Sequence, residues 1–142
     1  MRKKDIAKDY NLRVTQVTPK NVNRVAKKFD IIKSDFKNNA FVIGDEDIIL
    51  GLYDTPELKY ASFFHEIGHT LVSEAFEKMV HNDEMLIEFQ AWVEGLRVAK
   101  KYKQEFSNKT FHYILKSLNS YYKPALNAHN PKQICRKNSK QQ

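Results

Sequence analysis

The sequence predicts an α+β fold that is mostly helical, with a small antiparallel hairpin packed on a central helix. Helical periodicity dominates the chain after residue 55, where apolar side chains recur every three to four positions. Two short β-favouring runs occupy 41–43 and 48–50, and the turn-forming residues 44–47 lie between them. Only four Gly and four Pro occur in 142 residues, which disfavours an all-β fold with many tight turns.

The first part of the chain is predicted to contain one strand and one helix. Apolar side chains alternate within residues 10–17, which favours a strand. Thr18 and Pro19 follow as a helix cap and a first helical residue. The apolar stripe after them predicts a helix over 19–29.

Three longer helices are predicted in the second part of the chain, at about 55–80, 83–102 and 107–121. The first helix can open in two ways. Asp54 as its cap would place Glu57 three residues later, in a reciprocal capping box. Thr55 as its cap would place a proline at the first helical position, and the sequence leaves both openings possible.

Length and charge indicate one domain with a basic end. A chain of 142 residues can bury one modest core. The sequence turns polar after Pro124, where we expect a loop and then a frayed end. We therefore expect a single domain over 1–125 and a polar, basic tail over 126–142. The net charge of +7 is concentrated partly at the two ends. Solvated surface charge is the favoured interpretation, and a nucleic acid or an acidic partner is the alternative.

The sequence carries no signal for a membrane or for secretion. No apolar run approaches the roughly 18 residues that a spanning helix needs. The basic residues at 1–9 are not followed by an apolar stretch. Cys135 is the only cysteine, so the chain cannot form an internal disulfide. We therefore expect a cytoplasmic protein without a membrane partner.

Residues 65–69 read His-Glu-Ile-Gly-His, a pattern typical of zinc sites. Side chains four apart on a helix share a face, so His65 and His69 can both reach one zinc ion at about 2.0–2.1 Å. Glu66 is placed beside the metal, where it can take a proton from zinc-bound water. Gly68 costs about 1 kcal/mol relative to alanine in mid-helix, which a close approach of a neighbouring element or of substrate would explain.

A catalytic zinc site needs a third protein ligand, and Glu88 is the first candidate. It lies on the next predicted helix, and eighteen residues separate it from His69. Its neighbours Phe89 and Trp92 are predicted to face inward. A carboxylate buried in such company needs a cation, because an unpaired buried charge is costly.

Other candidates stay open for two roles. Glu94 is the second choice for third ligand, and His81, near a predicted turn and expected to be exposed, is another option. An extra hydrogen-bond donor should stabilise the oxyanion that forms during hydrolysis. The candidate donors lie downstream of the motif and are His112, Tyr113, Tyr121, Tyr122 and His129.

The motif together with Glu88 resembles the gluzincin metallopeptidases, in which a second helix supplies a glutamate as third zinc ligand. The eighteen-residue gap is similar to that of the aminopeptidase-type members. The small size and the segment 88–92 resemble compact phage and prophage metallopeptidases of the ImmA/IrrE type, which cleave DNA-bound repressors in the cytoplasm. The sequence departs from the thermolysin type at Trp92, where that type carries an acidic residue.

The resemblance covers about residues 40–102 and implies a minimal zincin-like domain that uses Zn²⁺ to hydrolyse a peptide bond. It implies a protein or peptide as substrate, and a DNA-associated protein as a further partner. Zincins hold extended substrate against an edge strand, a role that falls here to the predicted hairpin. The alternative is a nucleic-acid- or protein-binding protein of a phage or mobile element, whose metal site is structural or non-catalytic.

Overall fold

The computed structural model describes residues 1–129, with side chains described as far as residue 121. The helices and strands are α1 (Lys3–Lys8), β1 (Arg13–Gln16), α2 (Val22–Phe29), β2 (Ala40–Ile43), β3 (Asp47–Leu50), α3 (Pro56–Leu71), α4 (Glu74–Met79), α5 (Glu84–Lys101) and α6 (Asn108–His129). A short 3₁₀ turn, Lys33–Phe36, precedes β2. The predicted α+β fold, mostly helical with a small sheet, is confirmed.

The strands that the structure describes form one mixed sheet in the order β1–β3–β2. β2 and β3 pair antiparallel, with Phe41 opposite Ile49, which confirms the predicted hairpin. β1 pairs parallel to β3, with Val14 opposite Ile48, so the sheet that contains the predicted antiparallel hairpin is mixed. The hairpin places its second strand in the middle of the sheet, next to β1, and this strand runs in the direction of β1.

The central strand β3 is covered on both faces. Ile48, Ile49 and Leu50 are all 0% exposed, and successive residues of a strand point to opposite faces. Ile49 packs in a cluster with Val25 of α2, whereas Ile48 and Leu50 pack in a cluster with Phe64 of α3. The sheet therefore lies between α2 on one side and α3 on the other.

Thr55 caps α3, which decides between the two predicted openings. Its side chain accepts a hydrogen bond from the backbone N–H of Leu58 at 3.2 Å. Glu57 has a different task, because its carboxylate accepts hydrogen bonds from the hydroxyls of Ser107 and Thr110 at the start of α6. The first turn of α3 is thereby tied to the first turn of α6.

The predicted helix over 55–80 is wrong in one respect, because it is two helices. α3 ends at Leu71, and Val72 is extended, with φ −72° and ψ 122°. The Ser73 hydroxyl then accepts a hydrogen bond from the backbone N–H of Phe76 at 3.0 Å and caps α4. Serine favours helix caps over helix interiors because its hydroxyl competes for backbone hydrogen bonds.

α6 runs through Pro124 to His129, so the loop predicted after Pro124 is wrong for 125–129. Ala125, Leu126 and Ala128 are strong helix formers, a local preference that the polar composition of the tail concealed. The proposed boundary at residue 125 falls inside this helix. The rest of the predicted tail, 130–142, lies outside the described residues. None of the described helices is long and apolar enough to cross a membrane.

Two glycines stand at the closest approach of α3 and α5. A Cβ atom on Gly68 would lie 1.9 Å from the carbonyl oxygen of Ala91 and 2.8 Å from the amide nitrogen of Gly95. A Cβ atom on Gly95 would lie 2.5 Å from the carbonyl oxygen of Phe64. The close approach predicted at Gly68 is therefore confirmed, and the element that approaches is α5.

Candidate metal centre

Three predicted ligands meet where α3 and α5 cross. Glu88 Oε1 lies 3.0 Å from His65 Nε2, and Glu88 Oε2 lies 2.7 Å from His69 Nε2. The two Nε2 atoms are 3.1 Å apart. One possible ligand atom from each residue lies within 4.8 Å of the other two. Helix geometry places the histidines on one face of α3, and the packing of α5 against that face brings the glutamate to them.

The donor set fits a single small cation. Two ligand atoms at about 2.0–2.2 Å from a tetrahedral zinc ion lie about 3.3–3.6 Å apart. The 3.1 Å between the two Nε2 atoms is close to that spacing. Two imidazole nitrogens and a carboxylate oxygen are ligands that suit zinc. His65, His69 and Glu88 could therefore hold a metal ion between them.

The electrostatics of the cluster favour an ionised carboxylate. Burial by itself would raise the pKa of Glu88, but hydrogen bonds with His65 and His69 outweigh it and lower the pKa to about 2. Burial lowers the pKa of His65 despite its hydrogen bond with Glu88. At His69 burial also acts to lower the pKa, but the hydrogen bond and charge of Glu88 outweigh it and raise the pKa. A negative charge is thus held between two imidazoles.

Glu66 lies beside this cluster without joining it. Its Oε2 atom is 4.0 Å from His65 Nε2, and the residue is 7% exposed. Burial raises the pKa of Glu66 to about 8, although the charge of His69 acts in the opposite direction. A bound cation would lower this pKa by favouring the carboxylate. A carboxyl group that titrates near neutral pH is suited to take up and release a proton.

The surroundings of Glu88 are only partly as predicted. Trp92 is 5% exposed, but Phe89 is 53% exposed. Positions four apart share a helix face, whereas adjacent positions do not. α5 therefore turns Glu88 and Trp92 together toward α3, while Phe89 lies off that face. Trp92 and α3, and not Phe89, therefore partly bury the Glu88 carboxylate. This is the burial for which a nearby cation would compensate.

The other two candidate ligands lie outside the cluster. Glu94 accepts hydrogen bonds from Gln90 Nε2 at 2.9 Å and from Arg97 Nη1 at 3.0 Å. His81 is exposed and stands in the turn between α4 and α5, where its φ is +54°. Among the described residues, the geometry therefore favours Glu88 as the third ligand.

The cluster opens into a cavity of about 480 Å³, a volume within the range of about 300–1,000 Å³ that is usual for ligand sites. β2 forms one wall of the cavity, and it is an edge strand of the described sheet. Glu66 lines the cavity together with the three candidate ligands. The cavity thus joins the three candidate ligands, a buried carboxyl group and a strand edge.

Only some of the predicted oxyanion donors are seen to line the cavity. Tyr113 and Tyr121, both on α6, line the cavity. His112 is exposed and lines a separate surface pocket. The side chains of Tyr122 and His129 lie beyond the part of the chain whose side chains are described. Two of the five predicted donors therefore line the same cavity as the candidate ligands.

Sequence reasoning missed Tyr53, a further residue of the cavity. Its hydroxyl is buried and makes no hydrogen bond of acceptable geometry with the described residues. Burial raises the pKa of Tyr53 well above its usual range, although the nearby Ser62 hydroxyl acts to lower it. Tyr53 stands in the connection between β3 and α3, twelve residues before the first histidine. No motif includes it, so the sequence contains no signal that would have found it.

Replacing Glu88 by alanine should weaken zinc binding more than about 100-fold, because loss of an outer-shell partner alone typically costs about 10–100-fold. Glu94→Ala should leave zinc affinity unchanged, since that carboxylate is engaged with Gln90 and Arg97. Competition with a chelating dye measures both affinities. The reverse result would assign the third ligand to Glu94.

The candidate centre combines two histidines and a glutamate from two helices with a buried glutamate beside them. Comparison with known proteins adds no relative to this description. No protein-family model, curated protein or solved structure significantly matches the chain. The chemistry of the centre must therefore be inferred from its own donors, distances and cavity.

Proposed function

We propose that the protein is a zinc-dependent hydrolase that cleaves peptide bonds. His65, His69 and Glu88 are the proposed ligands, and Glu66 is the proposed general base. The observation that carries the proposal is the convergence of three donor atoms within 4.8 Å, next to a buried carboxyl group that is not one of them. Structural zinc sites have four protein ligands, whereas catalytic sites have three and an open position. Three such residues are found here among those described, beside a cavity.

The proposed mechanism assigns proton transfer to Glu66. Zinc, when bound, polarises the scissile carbonyl and lowers the pKa of a water molecule. Glu66 takes the proton from the attacking water and passes it to the leaving amine. Tyr53 is the first candidate to donate a hydrogen bond to the substrate oxygen as negative charge develops, because its buried hydroxyl has no partner among the described residues.

The cavity wall supports an extended peptide as substrate. An edge strand has unpaired backbone N–H and C=O groups, and a peptide can add to it as a further strand. β2 is such a strand, and its residues Ala40–Ile43 line the cavity. Their side chains are apolar, so we propose that the substrate segment is extended and apolar beside the cleaved bond. The single cysteine is in keeping with a cytoplasmic site of action.

A peptide library tests the proposed function. The protein is stripped of metal with a chelator, reloaded with one equivalent of zinc, and incubated with peptides derived from a whole proteome. New amino termini, identified by mass spectrometry, are expected with the reloaded protein and not with the stripped one. Zinc bound at one equivalent without any cleavage would indicate a non-catalytic zincin-like protein. Failure to bind zinc would indicate a binding protein of another class.

A further inference from the structure

We propose that Trp92 is a positioning residue that holds the His65 imidazole in its metal-binding orientation by stacking on the ring. The inference rests on the proposed metal site and adds to it a residue that binds no metal. Trp92 lies on α5, one turn after Glu88, so both side chains leave the helix on the same face. The carboxylate reaches the edge of the His65 ring at 3.0 Å, and the indole covers its face.

The indole and the imidazole form a close, nearly parallel stack. Their ring centroids are 4.1 Å apart, and their planes differ by 25°. Trp92 is 5% exposed and His65 is 7% exposed, so water has little access to the contact. The stack restricts rotation about the bond that joins the imidazole to Cβ. That rotation would swing Nε2 away from Glu88 and from the metal.

The second ring nitrogen of His65 has no comparable restraint. Nδ1 is buried and has no hydrogen-bond partner among the described residues. A metal-binding histidine almost always donates this N–H to a carboxylate, a carbonyl oxygen or water, which fixes the orientation of the ring. No carboxylate or carbonyl oxygen of the described residues accepts this hydrogen bond, and the indole stack is the contact that the described residues supply to restrain the ring.

Trp92 is itself held from two sides, as a positioning residue must be. It forms a buried cluster with Ala61 of α3 and Ile114 of α6. The first turns of α3 and α6 are joined through Glu57, which steadies the two helices that enclose the indole. The described part of α6 therefore supports the proposed metal site by packing against Trp92.

Two substitutions of Trp92 distinguish the effect of its aromatic face from the effect of its size. Trp92→Phe keeps an aromatic ring over His65, whereas Trp92→Leu keeps an apolar side chain and loses the ring. We expect Trp92→Leu to weaken zinc binding by about 10–100-fold, the usual effect of losing an outer-shell contact. Trp92→Phe should retain most of the affinity of the unmodified protein. Zinc alone is the probe, and chelator competition is the measurement.

Phe36→Leu is the matched control for loss of a core aromatic residue. Phe36 is 0% exposed and belongs to the cluster on the α2 side of the sheet, away from the metal ligands. The Phe36→Leu substitution should lower the stability of the fold without changing zinc affinity. Thermal unfolding of all variants checks that each is folded at the temperature of the zinc titration.

The chain has one tryptophan, which supplies a second readout in the unmodified protein. Zinc binding to His65 should change the emission of Trp92, because the two rings are in contact. Equal zinc affinity of the Phe and Leu variants would overturn the inference. If the Leu variant does not fold, the emission decides: a change supports the inference, and zinc binding without a change overturns it. Failure of the proposed function is distinct, since the unmodified protein would then bind no zinc, or would bind zinc without cleaving any peptide, whatever the Trp92 variants do.

Discussion

Replacing Glu66 by glutamine is expected to lower peptide hydrolysis about 10²–10⁴-fold, the usual contribution of a general base, while zinc stays bound. Glutamine has nearly the same shape as glutamate but cannot take up the proton. Glu66 Oε2 is 4.0 Å from His65 Nε2, and the carboxylate that contacts both histidines belongs to Glu88. The ligand set should therefore survive the change. The measurement is the cleavage rate per mole of bound zinc, using peptides found with the unmodified protein.

Glu94→Gln is the matched control for this substitution. Glu94 is a partly buried glutamate of α5, and it pairs with Gln90 and Arg97 outside the cavity. Its replacement should leave both zinc content and cleavage rate unchanged. Full cleavage by Glu66→Gln would show that another group takes the proton, and loss of zinc from Glu66→Gln would make this residue part of the ligand set.

Replacing Gly68 by alanine is expected to destabilise the fold by about 3 kcal/mol or more, at or beyond the upper end of the usual cost of overpacking. Helix propensity alone would give a change in stability of the opposite sign, because it favours alanine over glycine by about 1 kcal/mol. The new Cβ would lie 1.9 Å from the carbonyl oxygen of Ala91 and 2.8 Å from the amide nitrogen of Gly95. These are backbone atoms that no side-chain rotation can move, so α3 and α5 would have to separate.

Urea unfolding of Gly68→Ala measures the change in the free energy of unfolding. Gly44→Asn is the control, because nothing lies within 4 Å of a Cβ built at Gly44, and its φ of +61° is one that asparagine tolerates at about 1 kcal/mol or less. Separation of the helices would also move Glu88 away from the histidines, so zinc affinity should fall with stability. An unchanged or raised stability would contradict the packing of α3 against α5.

The features that were predictable from sequence depend on neighbours along the chain. His65, Glu66 and His69 lie within little more than one turn, and the pitch of a helix alone places both histidines on one face. The hairpin of β2 and β3 follows from two apolar runs around a short turn. The break between α3 and α4 is also local, because it depends on the Ser73 cap, but an apolar pattern that continued past it concealed the signal.

The features that only the tertiary structure decided join residues far apart in sequence. Spacing and resemblance nominated Glu88, with Glu94 as the second choice, and it is the crossing of α3 and α5 that brings the Glu88 carboxylate to the histidines. The cavity hydroxyl of Tyr53 and the stack of Trp92 on His65 have no sequence signature. Helix pitch is set by backbone bonding within a segment. The crossing of two helices is set by which side chains pack between them, and here two glycines let the backbones meet.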